Sequence, residues 1–185
     1  MNAETSNNKV YKIVVIGPES TGKSTLCQQL SDHFNTDWCR EYARSFLLKH
    51  GTNYSFDDLL QVAKGQTKAE DDFIEAMLQQ QKKVAFIDTD MYVMKVWCEF
   101  VFGKCHSYIL NEILHRSYDG YLLCKPDLPW VQDELREYPD LKTRTLLYHH
   151  YRDILINQST PWYEVNGVDP KRTDGAIEWV KQLLA

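Results

Sequence analysis

The chain begins polar and turns apolar at Val10-Tyr11-Lys12-Ile13-Val14-Val15-Ile16, a β-branched run stopped by Gly17. So short a run between a polar stretch and a glycine predicts a strand covered on both faces. From about Lys23 the period changes: Leu26, Leu30 and Phe34 recur at every fourth position, one face of a helix. A short strand is expected near 36–40, then a helix through Phe46 and Leu47 that Gly51 stops. Ser55 and Asp58 have capping-box spacing and open a long helix reaching about Gln81. Val84-Ala85-Phe86-Ile87, ending at Asp88, reads as the clearest second strand. Helical segments to about Ser117 lead to a short strand at 121–124, closed by Pro126. A helix over 140–155 then keeps Leu147, Tyr148, Tyr151 and Leu155 on one side. Trp162-Tyr163-Glu164-Val165 is the last strand. Asp169 as cap and Pro170 as first helical residue start a closing helix with Ala176, Ile177, Val180 and Leu184 inward.

Strands alternating with helices predict an α/β fold, a mainly parallel five-stranded sheet sandwiched between helical layers with right-handed crossovers. The first and third strands, the purest apolar runs, should be central. Residues 1–9 carry no apolar pattern and read as a flexible N-terminus; 10–185 read as a single domain.

Charge and cysteine usage narrow the partners. The 26 acidic against 21 basic side chains leave a net charge of −5, which argues against a nucleic-acid partner held on a basic face. No apolar run approaches the roughly 20 residues needed to cross a bilayer. Residues 1–9 lack the apolar core of a secretory signal, so no membrane partner and a cytoplasmic location are expected. The cysteines at 27, 39, 98, 105 and 124 are odd in number and include no Cys-x-x-Cys. That pattern suits free thiols in a reducing compartment rather than a disulfide framework or a zinc ribbon.

The strongest chemical signal is Gly17-Pro18-Glu19-Ser20-Thr21-Gly22-Lys23-Ser24, which satisfies G-x-x-x-x-G-K-[ST] between a predicted strand and a predicted helix. Glycines let the backbone curl round a phosphate so that successive N–H groups and the helix N-terminus point at the anion. Lys23 sets a cation against the outer phosphates of ATP, the Ser24 hydroxyl can ligate Mg²⁺, and Thr25 helps hold the helix entry. Such a loop needs a carboxylate on a neighbouring strand to hold the metal through its waters, and Asp88 is suited to that. Asp90 lies two residues on. In extended geometry both carboxylates would face one cleft, one for the metal and one for a proton or a substrate hydroxyl. Asp90 reads equally as the N-cap of the helix that follows.

No Asn-Lys-x-Asp guanine reader occurs, and the second acidic motif is Asp-Thr-Asp, so GTPase-switch and AAA-motor readings fit poorly. A small-molecule or nucleotide kinase fits better. Glu41 and Arg44, at i and i+3, read either as a surface ion pair or as groups for a ribose hydroxyl and a phosphate. Residues 126–136 stand where a lid would close. There Trp130 can stack on a flat ring, and Arg136, with Lys142 and Arg144 beyond, can neutralise a transferring phosphoryl group. The plainer reading makes Trp130 core and Arg136 a solvated charge. The loop 166–170 with Arg172 reads as an adenine cradle or as a simple helix-entry turn.

Four motifs in order resemble the ribosylnicotinamide kinase domain of NadR-type NAD-salvage proteins: the phosphate loop, Glu41-Tyr42-Ala43-Arg44, Phe86-Ile87-Asp88-Thr89-Asp90, and Pro129-Trp130-Val131 with Asp133 and Arg136. The resemblance runs from Val10 to the C-terminus. It implies a P-loop kinase fold with a lid, and ATP-dependent phosphorylation of the 5′-hydroxyl of nicotinamide riboside. By the same resemblance Lys23 and Ser24 handle phosphates and Mg²⁺, and the Asp88-Thr89-Asp90 element meets the metal and the hydroxyl. Glu41, Arg44 and Asp133 would line the acceptor side, with Trp130 on the nicotinamide ring and Arg136 in the lid. With about ten residues before the first strand, neither an adenylyltransferase nor a DNA-binding domain is expected, and Glu134 stands where the family often has glycine. The rival readings are a kinase for another nucleoside or nucleotide, and a nucleotide-binding regulatory module with little catalysis.

Overall fold

The computed structural model describes residues 9–185. The flexible terminus expected for residues 1–9 falls outside them apart from Lys9, whose ammonium pairs with Asp119 at 2.6 Å. Five strands, β1 (Tyr11–Ile16), β2 (Trp38–Cys39), β3 (Val84–Asp88), β4 (Gly120–Cys124) and β5 (Trp162–Val165), form one sheet in the order β2-β3-β1-β4-β5. All four pairings are parallel. β1 is therefore the middle strand and β3 its neighbour, and both are buried because helices cover both faces of a parallel sheet. β4, with its single aromatic and two leucines, is as buried as β3.

The helices are α1 (Lys23–Phe34), α2 (Tyr42–His50), α3 (Phe56–Gln79), α4 (Met91–Phe102), α5 (Ser107–His115), α6 (Leu141–Ile156) and α7 (Lys171–Leu184). Alternation along β1 sends Ile13 and Val15 to one face, against Leu26 and Leu30 of α1 and Ile177 and Val180 of α7. Val14 and Ile16 go to the other face, against Val93 and Val96 of α4 and Leu147 and Tyr151 of α6. The result is the three-layer sandwich expected of a P-loop protein. A third apolar cluster joins α2, α3, α4 and α5.

Two local devices set boundaries. The Ser55 hydroxyl accepts from the Asp58 N–H, and Asp58 accepts from the Ser55 N–H at 2.8 Å, so a reciprocal cap opens α3. At the last helix the expectation shifts by one residue. α7 begins at Lys171 with Pro170 in the cap position, while Asp169 accepts from the Thr173 N–H at 3.2 Å.

Candidate active site

The phosphate loop leaves the carboxyl end of β1, where the strand order turns from β3 on one side to β4 on the other. Parallel sheets bind ligands at such switch points. Gly17 has φ +146°, and a Cβ there would stand 2.6 Å from the Cys124 carbonyl oxygen, so β4 leaves no room for a side chain. Gly22, at φ +76°, turns the chain into α1 with no side chain capping the helix. The first N–H groups of α1 are left facing the loop, as anion binding requires. Thr21 braces the turn through its hydroxyl to the Pro18 carbonyl (2.8 Å), and Lys23 donates to the same oxygen at 3.1 Å. Arg172, buried behind the loop, donates to the Thr21 carbonyl at 2.7 Å and to Asp127 at 2.9 Å.

A cavity of about 210 Å³ opens beside residues 17–25. Its other walls are Glu41, Ala43, Arg44 and Leu47 of the α2 region, Val93, Trp97 and Phe100 of α4, residues 135–138, and Leu147 and Tyr151 of α6. Asp88 reaches the loop from β3: Ser24 Oγ donates to its carboxylate at 2.6 Å. Burial raises the Asp88 carboxyl, opposed by Lys23 and by that hydrogen bond. Glu41 faces the same charges. Burial, then the Asp88 charge, push its carboxyl well above the ordinary range against the pull of Lys23.

Asp90 is a correction. The two acidic side chains do not share a face, because Thr89 takes φ +76° and ends the extended geometry. The Asp90 carboxylate caps α4, accepting from the N–H of Tyr92 (3.0 Å) and of Val93 (3.4 Å), and takes the Tyr121 hydroxyl at 3.0 Å. It is 1% exposed and borders a second, smaller cavity with Tyr118 and Arg116. Burial, against the Tyr121 bond, pushes it up to about 7. The carboxylate that joins Asp88 beside the loop is Glu41.

Residues 125–140 hold no helix or strand and lie across the loop. Ser20 Oγ accepts from the Val131 N–H at 3.0 Å, and Glu19 accepts from the N–H groups of Glu137 and Tyr138 at 3.0 and 3.1 Å. Arg44 pairs with Asp133, not with Glu41, through two hydrogen bonds at 3.3 and 3.1 Å. Arg136 lines the cavity and donates to the Val131 carbonyl. Trp130 does not line it. The indole is half-buried, with the Arg136 guanidinium 5.9 Å and the Arg144 guanidinium 5.3 Å from its centroid. The 166–170 loop is tied to Asp127 through the Gly167 N–H at 2.7 Å and borders no part of the cavity.

The aromatic walls, Trp97, Phe100, Tyr138 and Tyr151, were not foreseen. The one signal for them is the nearly unbroken apolar run of α4, too rich for a helix with one buried face. Thiol chemistry adds nothing here: Cys27, Cys39, Cys98 and Cys124 are buried, and burial pushes Cys39 and Cys98 up to about 12.

Comparison with known proteins follows the same lines. Residues 12–172 match the model of a family described as AAA domain. The trifunctional NAD biosynthesis/regulator protein NadR of Escherichia coli K12 is 32% identical over 180 residues, and that of Salmonella typhimurium LT2 28%. Each alignment covers 95% of this chain but 43% of the relative, so the chain spans less than half the length of these proteins. Among solved structures, NadR in complex with NR superposes with a TM-score of 0.76 at 19% identity, covering 95% of this chain and 50% of that one. Thymidylate kinase from Ehrlichia chaffeensis gives 0.68 at 17%, covering 93% and 98%. At these identities the two structures share the fold. With its phosphate loop closing β1 and its family match spanning most of its length, the chain belongs to the AAA domain family of P-loop proteins.

Proposed function

We propose that this protein is an ATP-dependent kinase that phosphorylates the 5′-hydroxyl of nicotinamide riboside to give nicotinamide mononucleotide. The observation that carries this reading is one shared cavity: the phosphate loop forms one wall, and Glu41, Trp97, Phe100, Tyr138 and Tyr151 form the others. A donor phosphate and a flat acceptor ring would meet there. A cationic pyridinium suits aromatic walls with a carboxylate close by. The likeness to NadR, an NAD biosynthesis/regulator protein, points the same way.

Lys23, resting on the Pro18 carbonyl, would exchange that bond for the outer phosphates. The α1 N–H groups bind the remaining phosphate oxygens, and Arg136 approaches from the lid. Ser24 and Asp88, a hydroxyl and a carboxylate 2.6 Å apart, are the hard oxygen donors that suit Mg²⁺ alongside phosphate oxygens and water. The cation, when bound, supplies charge neutralisation for the transferring phosphoryl group. Glu41 takes the acceptor's hydroxyl proton, since it sits in the cavity wall and its raised pKa lies nearer the working range. Asp90 positions α4 and thereby Trp97. Positioning supplies most of the rate.

Free, mostly buried thiols suit a reducing compartment, so a cytoplasmic location goes with this reading. Among the described residues no helix is long and apolar enough to cross a membrane. The test is ADP release from Mg-ATP with nicotinamide riboside, other nucleosides and nucleoside monophosphates in parallel. The reading expects nicotinamide riboside to give the highest kcat/KM. Preference for another acceptor would replace the substrate, and tight ATP binding without acceptor-dependent turnover would replace the activity.

A further inference from the structure

Gly65 and Gln66 sit side by side in the body of α3, and neither lines the cavity. The helix itself explains neither. A glycine weakens a helix interior relative to alanine, and a buried amide is tolerated only with its hydrogen bonds met. Gln66 is 1% exposed. A Cβ on Gly65 would stand 2.1 to 2.4 Å from three atoms of the Tyr42 ring, so the glycine is what lets the first residue of α2 lie against α3. The Gln66 side chain then takes that residue's backbone. Oε1 accepts from the Tyr42 N–H at 2.8 Å, while Nε2 donates to the Thr89 carbonyl at 3.1 Å and lies 4.0 Å from Cys39 Sγ. A backbone N–H can only donate and a carbonyl only accept, so the amide has one orientation.

The two segments joined by this amide carry the two carboxylates beside the phosphate loop. Cys39 of β2 pairs with Ile87 of β3. Glu41 follows two residues after Cys39, and Asp88 directly follows Ile87. Glu41 stands at the cap position of α2 but makes no capping bond, so its place depends on the backbone that carries it. Gln66 holds the next N–H of that backbone. On the other side, Thr89 has φ +76°, which a β-branched residue keeps only under constraint. Its N–H donates to the Val15 carbonyl at 3.2 Å, and its own carbonyl is the one Gln66 holds. One amide therefore grips the residue that follows each carboxylate.

We infer that Gln66 is a positioning residue which, with Gly65, sets the spacing between Glu41 and Asp88, and so between the acceptor's reacting hydroxyl and the phosphate at the metal. The inference rests on the kinase reading for the roles of Glu41 and Asp88, and it needs no particular acceptor.

The experiment compares the full chain with Gln66→Met, Gly65→Ala and the double variant Gln66→Met, Thr89→Gly. Acceptor-dependent ADP release gives kcat, and calorimetry gives AMP-PNP affinity in Mg²⁺ and in EDTA. Gln66→Met should lower kcat about 10–100-fold, the effect of misplacing reacting groups by a fraction of a bond length or more. The gain in AMP-PNP affinity that Mg²⁺ brings should fall about tenfold, with affinity in EDTA kept within about twofold. A protein that was merely loosened would lose affinity in EDTA as well. Gly65→Ala displaces Tyr42 alone, so it should lower kcat about tenfold and leave the Mg²⁺ gain intact. Thr89→Gly should return part of the Mg²⁺ gain to Gln66→Met, because glycine takes a left-handed φ without being held there.

A Gln66→Met protein that keeps both kcat and the Mg²⁺ gain within about twofold of wild type would overturn the inference, as would an equal loss of affinity in Mg²⁺ and EDTA. An unchanged kcat in Gly65→Ala would strike Gly65 from it. If Gln66→Met does not fold, Gln66→Asn, an amide one methylene too short to hold both partners, is judged by the same criterion. A wild type that turned over no acceptor would fail the kinase reading before any variant was made, and the Mg²⁺ gain would still decide the role of Gln66.

Discussion

Ser24 and Asp88, 64 positions apart, are joined by a hydrogen bond of 2.6 Å from Oγ to Oδ2 that ties the start of α1 to the end of β3. The same two oxygens are the hardest donors beside Lys23. The pair is a strut in the ligand-free protein and, in the proposed reaction, would be the cation site. Asp88→Ala should weaken Mg²⁺ about 10–100-fold, as loss of an orienting carboxylate does. The magnesium midpoint of ATP turnover measures this, with nucleotide affinity in EDTA as the control. An unchanged midpoint would remove Asp88 from the metal.

Glu41 shares the cavity wall with Lys23, and its raised pKa gives the proposed base a pH signature. Only the ionised form accepts a proton, so kcat should fall as pH drops through the raised value, with an acid limb well above the ordinary glutamate range. Glu41→Gln should lower kcat by about 10²–10⁴ and abolish that limb. If the limb persists in Glu41→Gln, the base lies elsewhere, with Asp88 the next carboxylate in reach.

At Gly17 a methyl group would meet both the Cys124 carbonyl oxygen, at 2.6 Å, and a φ of +146°. Strain of this kind costs roughly 1–3 kcal/mol, before the clash with β4 is counted. Gly17→Ala should therefore lower the melting temperature by several degrees and weaken ATP binding together, because β4 and the loop cannot both keep their places. Gly51→Ala gives the comparison. Its φ of +84° is also strained, yet its Cβ meets nothing within 4 Å, so it should cost stability without touching ATP affinity.

The fold was legible because its signals are local. Period-two and period-four apolar patterns, a capping box and the loop motif each fix a few neighbouring residues, and in a parallel sheet those pieces have few ways to assemble. The phosphate side of the site was legible for the same reason, since Gly17 to Thr25 form one continuous turn. The acceptor side depends on packing. Trp97 and Tyr151 reach the cavity only because α4 and α6 cross the same sheet face. Nor does any spacing say that Arg44 would pair with Asp133 across 89 positions. Asp90 shows where local reasoning fails: one left-handed residue, Thr89, reversed the face of the carboxylate that follows it.

One buried carboxyl, Glu70, takes no part in the proposed chemistry. Glu70 is 1% exposed, accepts from Arg116 at 3.1 Å and from the Tyr118 hydroxyl at 2.9 Å, yet its carboxyl is raised because burial outweighs those partners. An acid raised by folding stays protonated in the native protein at pH values where the unfolded chain has already ionised. Its contribution to stability is thus fully present below the ordinary glutamate pKa and is lost as pH rises through the native one. Glu70→Gln keeps the shape and removes the titration. Wild type should hold its largest advantage in melting temperature over Glu70→Gln at the acid end of a series from about pH 4 to 8, and lose part of it toward neutrality. An advantage that grew with pH would mean that pairing with Arg116, which also holds Asp71 and Glu112, repays the buried charge after all.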